Sequence, residues 1–339
     1  MSLKSNTNFY GINFLKVSIL LAIAILHCNE FIFFENSFPL GWSSPIFQLS
    51  SYYARTFAIG GQALISIIYL LFGLNNKSRS SLFKISLFSI LGQVILSLVF
   101  KIVEWDIYSF IFFSNILIIS TPFFYKKNNI TILFSFLVIF ISPKYFTSIF
   151  SSNSALSLLT GNYALSSSGP WPILPWFFFA LFFYQMGLRI RLKNIFEEWS
   201  RYESFIWPVL FCLSLPQLGH YFNLPVGPNY YHFAFYQDSY IFLSNFLPYL
   251  LIMRLSFLRV VQDKLITNKF MHIISSSYWC RHLGLTYMLS VAYLGIGMNL
   301  REYFFNSPWI FDFYFFSVIL IPEFLSRIFV KLKLKFNVF

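Results

Sequence analysis

Long apolar runs separated by short polar clusters set the pattern of this chain. About 20 apolar residues in a helix are enough to cross the hydrocarbon of a bilayer. Runs of about that length, bounded by polar or Pro/Gly clusters, occupy 14–34, 56–74, 82–103, 107–125, 130–150, 171–188, 205–222, 240–255, 276–298 and 309–329. They predict about ten helices, the fifth interrupted by Pro143 and Lys144. The first run lacks a small-residue cleavage site behind a short apolar core, so it is expected to be a retained span.

Composition agrees with this pattern. Of the 339 residues, 57% are hydrophobic and 11% charged, against about 25% charged in soluble domains. The expected fold class is all-α: a polytopic membrane helix bundle forming a single domain over 1–339, with the bilayer as its first partner. The net charge of +12 would suit nucleic acid, but its placement argues otherwise. All but Arg55, Lys101, Lys144 and Arg301 of the 24 Lys and Arg residues fall on or near alternate connections and the two ends. Cytoplasmic loops carry this excess, so both termini are expected inside and no nucleic acid is needed. The expected location is an integral membrane protein of the bacterial inner membrane. The three cysteines have neither paired nor metal-ligand spacing, and no metal or permanently bound cofactor is expected.

The outer connections 35–53, 144–170 and 223–239 are long and rich in Ser, Asn, Gly, Pro and Tyr. Long ordered loops often carry binding. In the third, Tyr230, Tyr231, His232, Phe235 and Tyr236 suit either a sugar or lipid headgroup, or an interfacial aromatic belt.

Several polar residues sit within the runs. Lys16, His27 and Glu30 lie near one stripe of the first helix. A neutral His27 can act as general base, deprotonating a hydroxyl or amine as it attacks a thioester, with Glu30 holding the ring. The competing reading is a histidine bonded across helices for packing. Arg55 reads as an anion or carbonyl contact, or as a side chain snorkelling to the interface. Asn115, in the middle of the fourth run, needs a polar partner and is either packing glue or a substrate contact. Trp171 and Trp176, in the Pro-rich opening GPWPILPW, either wall a pocket or anchor the interface. Arg281 and His282 stand at the inner mouth of the ninth run, where Arg281 can grip phosphates or simply anchor. Glu323 is spaced to pair with Arg327 at i+4. No Walker loop, dinucleotide fingerprint, zinc spacing or Ser–His–Asp signature is present.

Four stretches, taken together and in order, resemble the multi-pass membrane acyltransferases. That superfamily includes the acyltransferase type 3 enzymes and relatives of heparan-α-glucosaminide N-acetyltransferase. FLKVSILLAIAILHCNEF is similar to their Asp-x-x-Arg-Gly, apolar run, His helix, with Lys16 for the arginine and Val17 for the glycine. ALISIIYLLFGL resembles their second helix, ending at Gly73, and GPWPILPWFFFALFFYQMGL resembles their Pro-x-x-Pro-Trp helix, ending at Gly187. CRHLGLTYMLSVAYL is similar to Gly-Arg-x-Ser-Leu-x-x-Tyr-Leu-x-His, with Cys280, Leu283 and Ser290 at the glycine, serine and histidine positions.

The resemblance implies acyl transfer, with acetyl the expected group. It would pass from cytoplasmic acyl-CoA, a co-substrate, to a hydroxyl of a cell-surface glycan or lipid-linked sugar. His27 would be the base and Glu30 its support, with Lys16, Arg281 and His282 on the donor side. Arg55, Trp171, Trp176, Asn115 and Ser290 would line the substrate site. The departures at Lys16 and Ser290 imply altered substrate choice or a degenerate, inactive member. The alternatives are a transporter or flippase of a glycolipid or small metabolite, since buried Lys, His and Glu also suit proton coupling, and a non-catalytic envelope-assembly partner.

Overall fold

The structure, a computed structural model, describes residues 62–100, 107–149, 173–192, 285–286, 289 and 309–331. Every element among them is helical: α1 (Gln62–Leu74), α2 (Arg79–Phe100), α3 (Ile107–Ser120), α4 (Pro122–Tyr125), α5 (Asn129–Ile149), α6 (Ile173–Leu192) and α7 (Trp309–Lys331). The chain divides into two compact units. One consists mainly of residues 59–247 and holds α1 to α6, while the other includes residues 248–336 and holds α7.

Two predicted boundaries are revised. The fourth run, expected over 107–125, breaks at Thr121 into α3 and α4. Pro122 has no N–H and crowds the residue before it out of the helical region; Thr121 accordingly sits at φ −107°, ψ 105°. The fifth run, by contrast, is not interrupted, because α5 continues through Pro143 and Lys144 to Ile149. The predicted runs 14–34, 205–222 and 240–255 lie outside the described residues, as does most of 276–298.

Within the first unit α6 packs against α1, α3 and α5, and α2 packs against α3. The α1–α6 crossing is made backbone to backbone. An ideal Cβ on Gly73 would lie 2.9 Å from Gly187 Cα, and one on Gly187 would lie 3.0 Å from Gly73 Cα. Only residues without side chains let two helices approach so closely. Just below the crossing, α1 ends in a Schellman motif. Lys77 N–H donates to Phe72 O (3.1 Å) and Asn76 N–H to Gly73 O (2.9 Å). Asn76 takes the left-handed conformation this needs, at φ 46°. Ser78 then caps α2, its Oγ accepting from Ser81 N–H at 3.1 Å.

Around a mainly apolar core, many large apolar side chains also face outward while several polar ones turn inward. On α2 the buried face carries Ser86, Ser89 and Gln93, while Phe83, Leu87, Leu91 and Leu98 are exposed, Leu98 to 77%. On α5 Thr131 and Ser135 are buried, whereas Ile130, Leu133, Phe134 and Leu137 face outward. In the other unit α7 buries Ser317 and exposes Phe316, Leu320 and Phe324. The inward hydroxyls of Ser86 and Ser89 donate back to Leu82 O and Ile85 O, each at 3.0 Å, so they are satisfied without water. Among the described residues one helical segment, Arg79–Leu98, is long and apolar enough to cross a membrane, and several apolar helices are shorter.

Candidate functional site

The interior of the α1–α6 unit holds a small group of polar side chains with no charge among them. Asn115 on α3 is completely buried, and among the described residues neither its amide nitrogen nor its amide oxygen has a hydrogen-bond partner. Ser114 beside it and Tyr69 on α1 are equally buried. The Tyr69 hydroxyl lies beside Ser114, yet neither hydroxyl completes a well-formed hydrogen bond.

Geometry explains how these groups come to face inward. Asn115 lies seven residues beyond Tyr108, about two turns, and so shares its face of α3. The Tyr108 ring rests against α2 at Gly92, with its Cε1 3.3 Å from the position a Cβ would take. The α2 face that packs toward the interior at this level carries Ser86, Ser89 and Gln93. Unanswered buried amides and hydroxyls cost about 1–3 kcal/mol each. Packing glue requires a partner, and among the described residues Asn115 has none. The group is therefore equipped to hold a neutral hydroxyl or carbonyl, since an amide and two hydroxyls both donate and accept. It contains no acid or base suited to proton transfer near neutral pH.

Trp176, on α6, is also fully buried and meets Phe179 edge-on with ring centroids 5.8 Å apart. A ring buried to that extent faces the protein interior and not a membrane–water interface. Trp176 and Asn115 sit on α6 and α3, two helices that pack together. The other proposed site residues, Lys16, His27, Glu30, Arg55, Trp171, Arg281, His282 and Ser290, lie outside the described residues. No cluster of three or more potential metal ligands occurs among the described residues.

At the end of the unit where α1, α3 and α6 finish, a second polar assembly ties the connections together. Gln185 of α6 donates from Nε2 to Phe124 O and to Lys126 O (3.0 Å), and its Oε1 accepts from Asn128 N–H (2.9 Å). The Tyr184 hydroxyl donates to Tyr125 O, and the Tyr125 hydroxyl donates to Lys77 O, each at 3.3 Å. Thr131 Oγ1 donates to Phe123 O at 3.2 Å. Arg79 lies over the Tyr125 ring, 4.9 Å from its centroid, a cation–π contact. Sequence reasoning passed over Tyr69, Ser114, Tyr125, Tyr184 and Gln185. Their one visible signal was a polar atom in an otherwise apolar run, as with Gln185 in FFYQMG. In the other unit the spacing of Glu323 and Arg327 does give the expected pair, with Arg327 Nε 2.8 Å from Glu323 Oε1.

Compared with known protein families, characterised proteins and solved structures, the chain matches none.

Proposed function

We propose that the protein is a multi-pass membrane acyltransferase of about ten spans with both termini in the cytoplasm. It would transfer an acyl group, with acetyl the leading candidate, from cytoplasmic acyl-CoA to a hydroxyl of a glycan or lipid-linked sugar at the outer face. The observation that carries this reading is the contact between Gly73 and Gly187. These are the glycines that end two of the four stretches resembling the acyltransferases, and the helices that bear them cross at those residues. The outward-facing apolar side chains support the membrane part. Apolar outer faces on α2, α5 and α7 suit lipid, and the inward polar groups avoid it. The buried Asn115, Ser114 and Tyr69 supply neutral contacts for a hydroxyl-bearing acceptor, and Trp176 adds an aromatic face.

In this mechanism His27 takes the proton of the acceptor hydroxyl as its oxygen attacks the thioester carbonyl. The carbon–sulfur bond breaks, and coenzyme A leaves as the thiol after receiving a proton. Glu30 orients the imidazole, Lys16, Arg281 and His282 hold the donor, and Arg55, Trp171 and Ser290 complete the acceptor side. The test is radiolabelled acetyl-CoA mixed with the purified protein and a membrane glycolipid extract. Label in the glycan with release of CoA is expected, and it should be abolished by His27→Ala in a protein that remains folded in detergent. Substrate flux across vesicles without CoA turnover would replace this reading with transport, for which the buried Asn115 amide, without a partner among the described residues, would be an equally apt contact.

A further inference from the structure

We propose that the end of the α1–α6 unit where α1, α3 and α6 terminate is a binding site for phosphate groups, built on the platform that Tyr125 and Gln185 lock together. Two connections and the last turns of α6 meet there, and each brings cations. Lys77 lies between α1 and α2 and Arg79 opens α2, Lys126 and Lys127 lie between α4 and α5, and Arg189 follows one turn after Gln185 on α6. Residues 62–100, 107–149 and 173–192 contain no Asp or Glu, so among the described residues of this unit nothing of opposite charge answers them.

The platform holds these groups in fixed relation. Tyr125 carries Arg79 on its ring face and the Lys77 carbonyl on its hydroxyl. Gln185 grips the carbonyls of Phe124 and Lys126, which fixes the backbone from which Lys126 and Lys127 extend. Stacking on Tyr125 leaves the edge of the Arg79 guanidinium, with its N–H groups, available, and that edge is what pairs with a phosphate. Arg79, Lys126 and Lys127 are all exposed. A topology signal requires only that cations lie on this side of the membrane. It does not require them to be tied together by Tyr125, Tyr184, Gln185 and the five hydrogen bonds those side chains make.

The phosphates have two natural sources: the headgroups of anionic lipids in the adjoining leaflet, or a soluble nucleotide such as the 3′-phosphorylated ADP portion of coenzyme A. The inference does not depend on acyl transfer, and its test does not read that activity. Full-length protein in neutral detergent is titrated with phosphatidylglycerol, with phosphatidylcholine as control, and separately with coenzyme A, binding being read by native mass spectrometry. Preference for phosphatidylglycerol over phosphatidylcholine, or saturable coenzyme A binding, is expected, and either should weaken as salt rises. Each cation removed near a membrane surface should cost about fivefold in binding, so Lys126→Gln with Lys127→Gln should cost about 25-fold.

Replacing the same pair by Arg should restore binding, and Arg327→Gln, whose charge Glu323 already answers, should leave it unchanged. Displacement of the lipid by coenzyme A assigns both sources to the same site, and lipid binding without coenzyme A binding assigns the headgroup. The proposal is overturned if neither anion binds better than phosphatidylcholine. It is equally overturned if the double Gln variant, with an unaltered melting temperature, binds as the wild type does.

Discussion

Gly73→Ala is the most direct probe of the α1–α6 crossing. The added methyl would sit 2.8 Å from Leu188 N, 2.9 Å from Gly187 Cα and nearer still to Tyr184 O. All three are backbone atoms, so no side-chain rotation relieves the overlap, and the two helices must separate. Overpacking of this kind costs about 1–3 kcal/mol, and contact with backbone places it near the upper figure. Alanine returns about 1 kcal/mol through its better helix propensity, which leaves a net loss of about 2 kcal/mol, roughly 30-fold in the folding equilibrium. Gly187→Ala meets the mirror-image contacts with Leu70 O, Leu74 N and Gly73 Cα and should cost as much. The double variant should lose less than the sum by about 1 kcal/mol or more, because the first methyl has already parted the helices. Gly92→Ala is the control. Its methyl would meet only the Tyr108 ring, at 3.3 Å, a side chain and not backbone, so any cost should be well below that of Gly73→Ala, at most about 1 kcal/mol. Reversible unfolding in mixed sodium dodecyl sulfate and dodecyl maltoside, followed by tryptophan fluorescence, measures all four. If Gly73→Ala unfolds at the same detergent fraction as the wild type and Gly92→Ala, the close crossing is wrong.

Three further outcomes are expected. Gln185→Leu removes bonds to Phe124 O, Lys126 O and Asn128 N–H and should destabilise by about 2–4 kcal/mol at roughly 1 kcal/mol per bond. Gln185→Glu should recover only the bond from Asn128, and thermal unfolding in detergent measures both. Asn115→Leu should be neutral or stabilising by about 1 kcal/mol, because it removes an unanswered buried amide; under the acyl-transfer reading the same variant loses acceptor turnover in the labelled assay. Asn76→Gly should match or exceed wild-type stability while Asn76→Ala loses about 1 kcal/mol, since φ 46° suits glycine and penalises alanine. Chemical denaturation of the two variants side by side decides it.

Much of the helical content was legible from periodicity and composition. Asn76, Ser78 and Pro122 mark helix ends through local backbone chemistry that acts within a few residues, yet the apolar pattern alone carried the fourth run past Pro122. The pairing of Glu323 with Arg327 was legible for the same reason, because i and i+4 are neighbours in any helix. Pro143 misled the reading, since a proline in a long apolar helix forfeits one backbone bond without having to end the helix. What the sequence determined by itself was therefore local: apolar runs, their caps, and a bias of cations to alternate connections.

The tertiary structure decided which polar atoms face one another and which glycines touch. Gly73 and Gly187 are more than a hundred residues apart, and nothing in either segment states that their backbones meet. Asn115 was visible as a lone amide, but its lack of a partner among the described residues, and the company of Tyr69 and Ser114, depend on how α1, α2 and α3 assemble. The same holds for Gln185, whose importance lies in three backbone groups of a distant connection. Helices form from contacts close in sequence, whereas a site forms from contacts distant in sequence, and only packing brings those together.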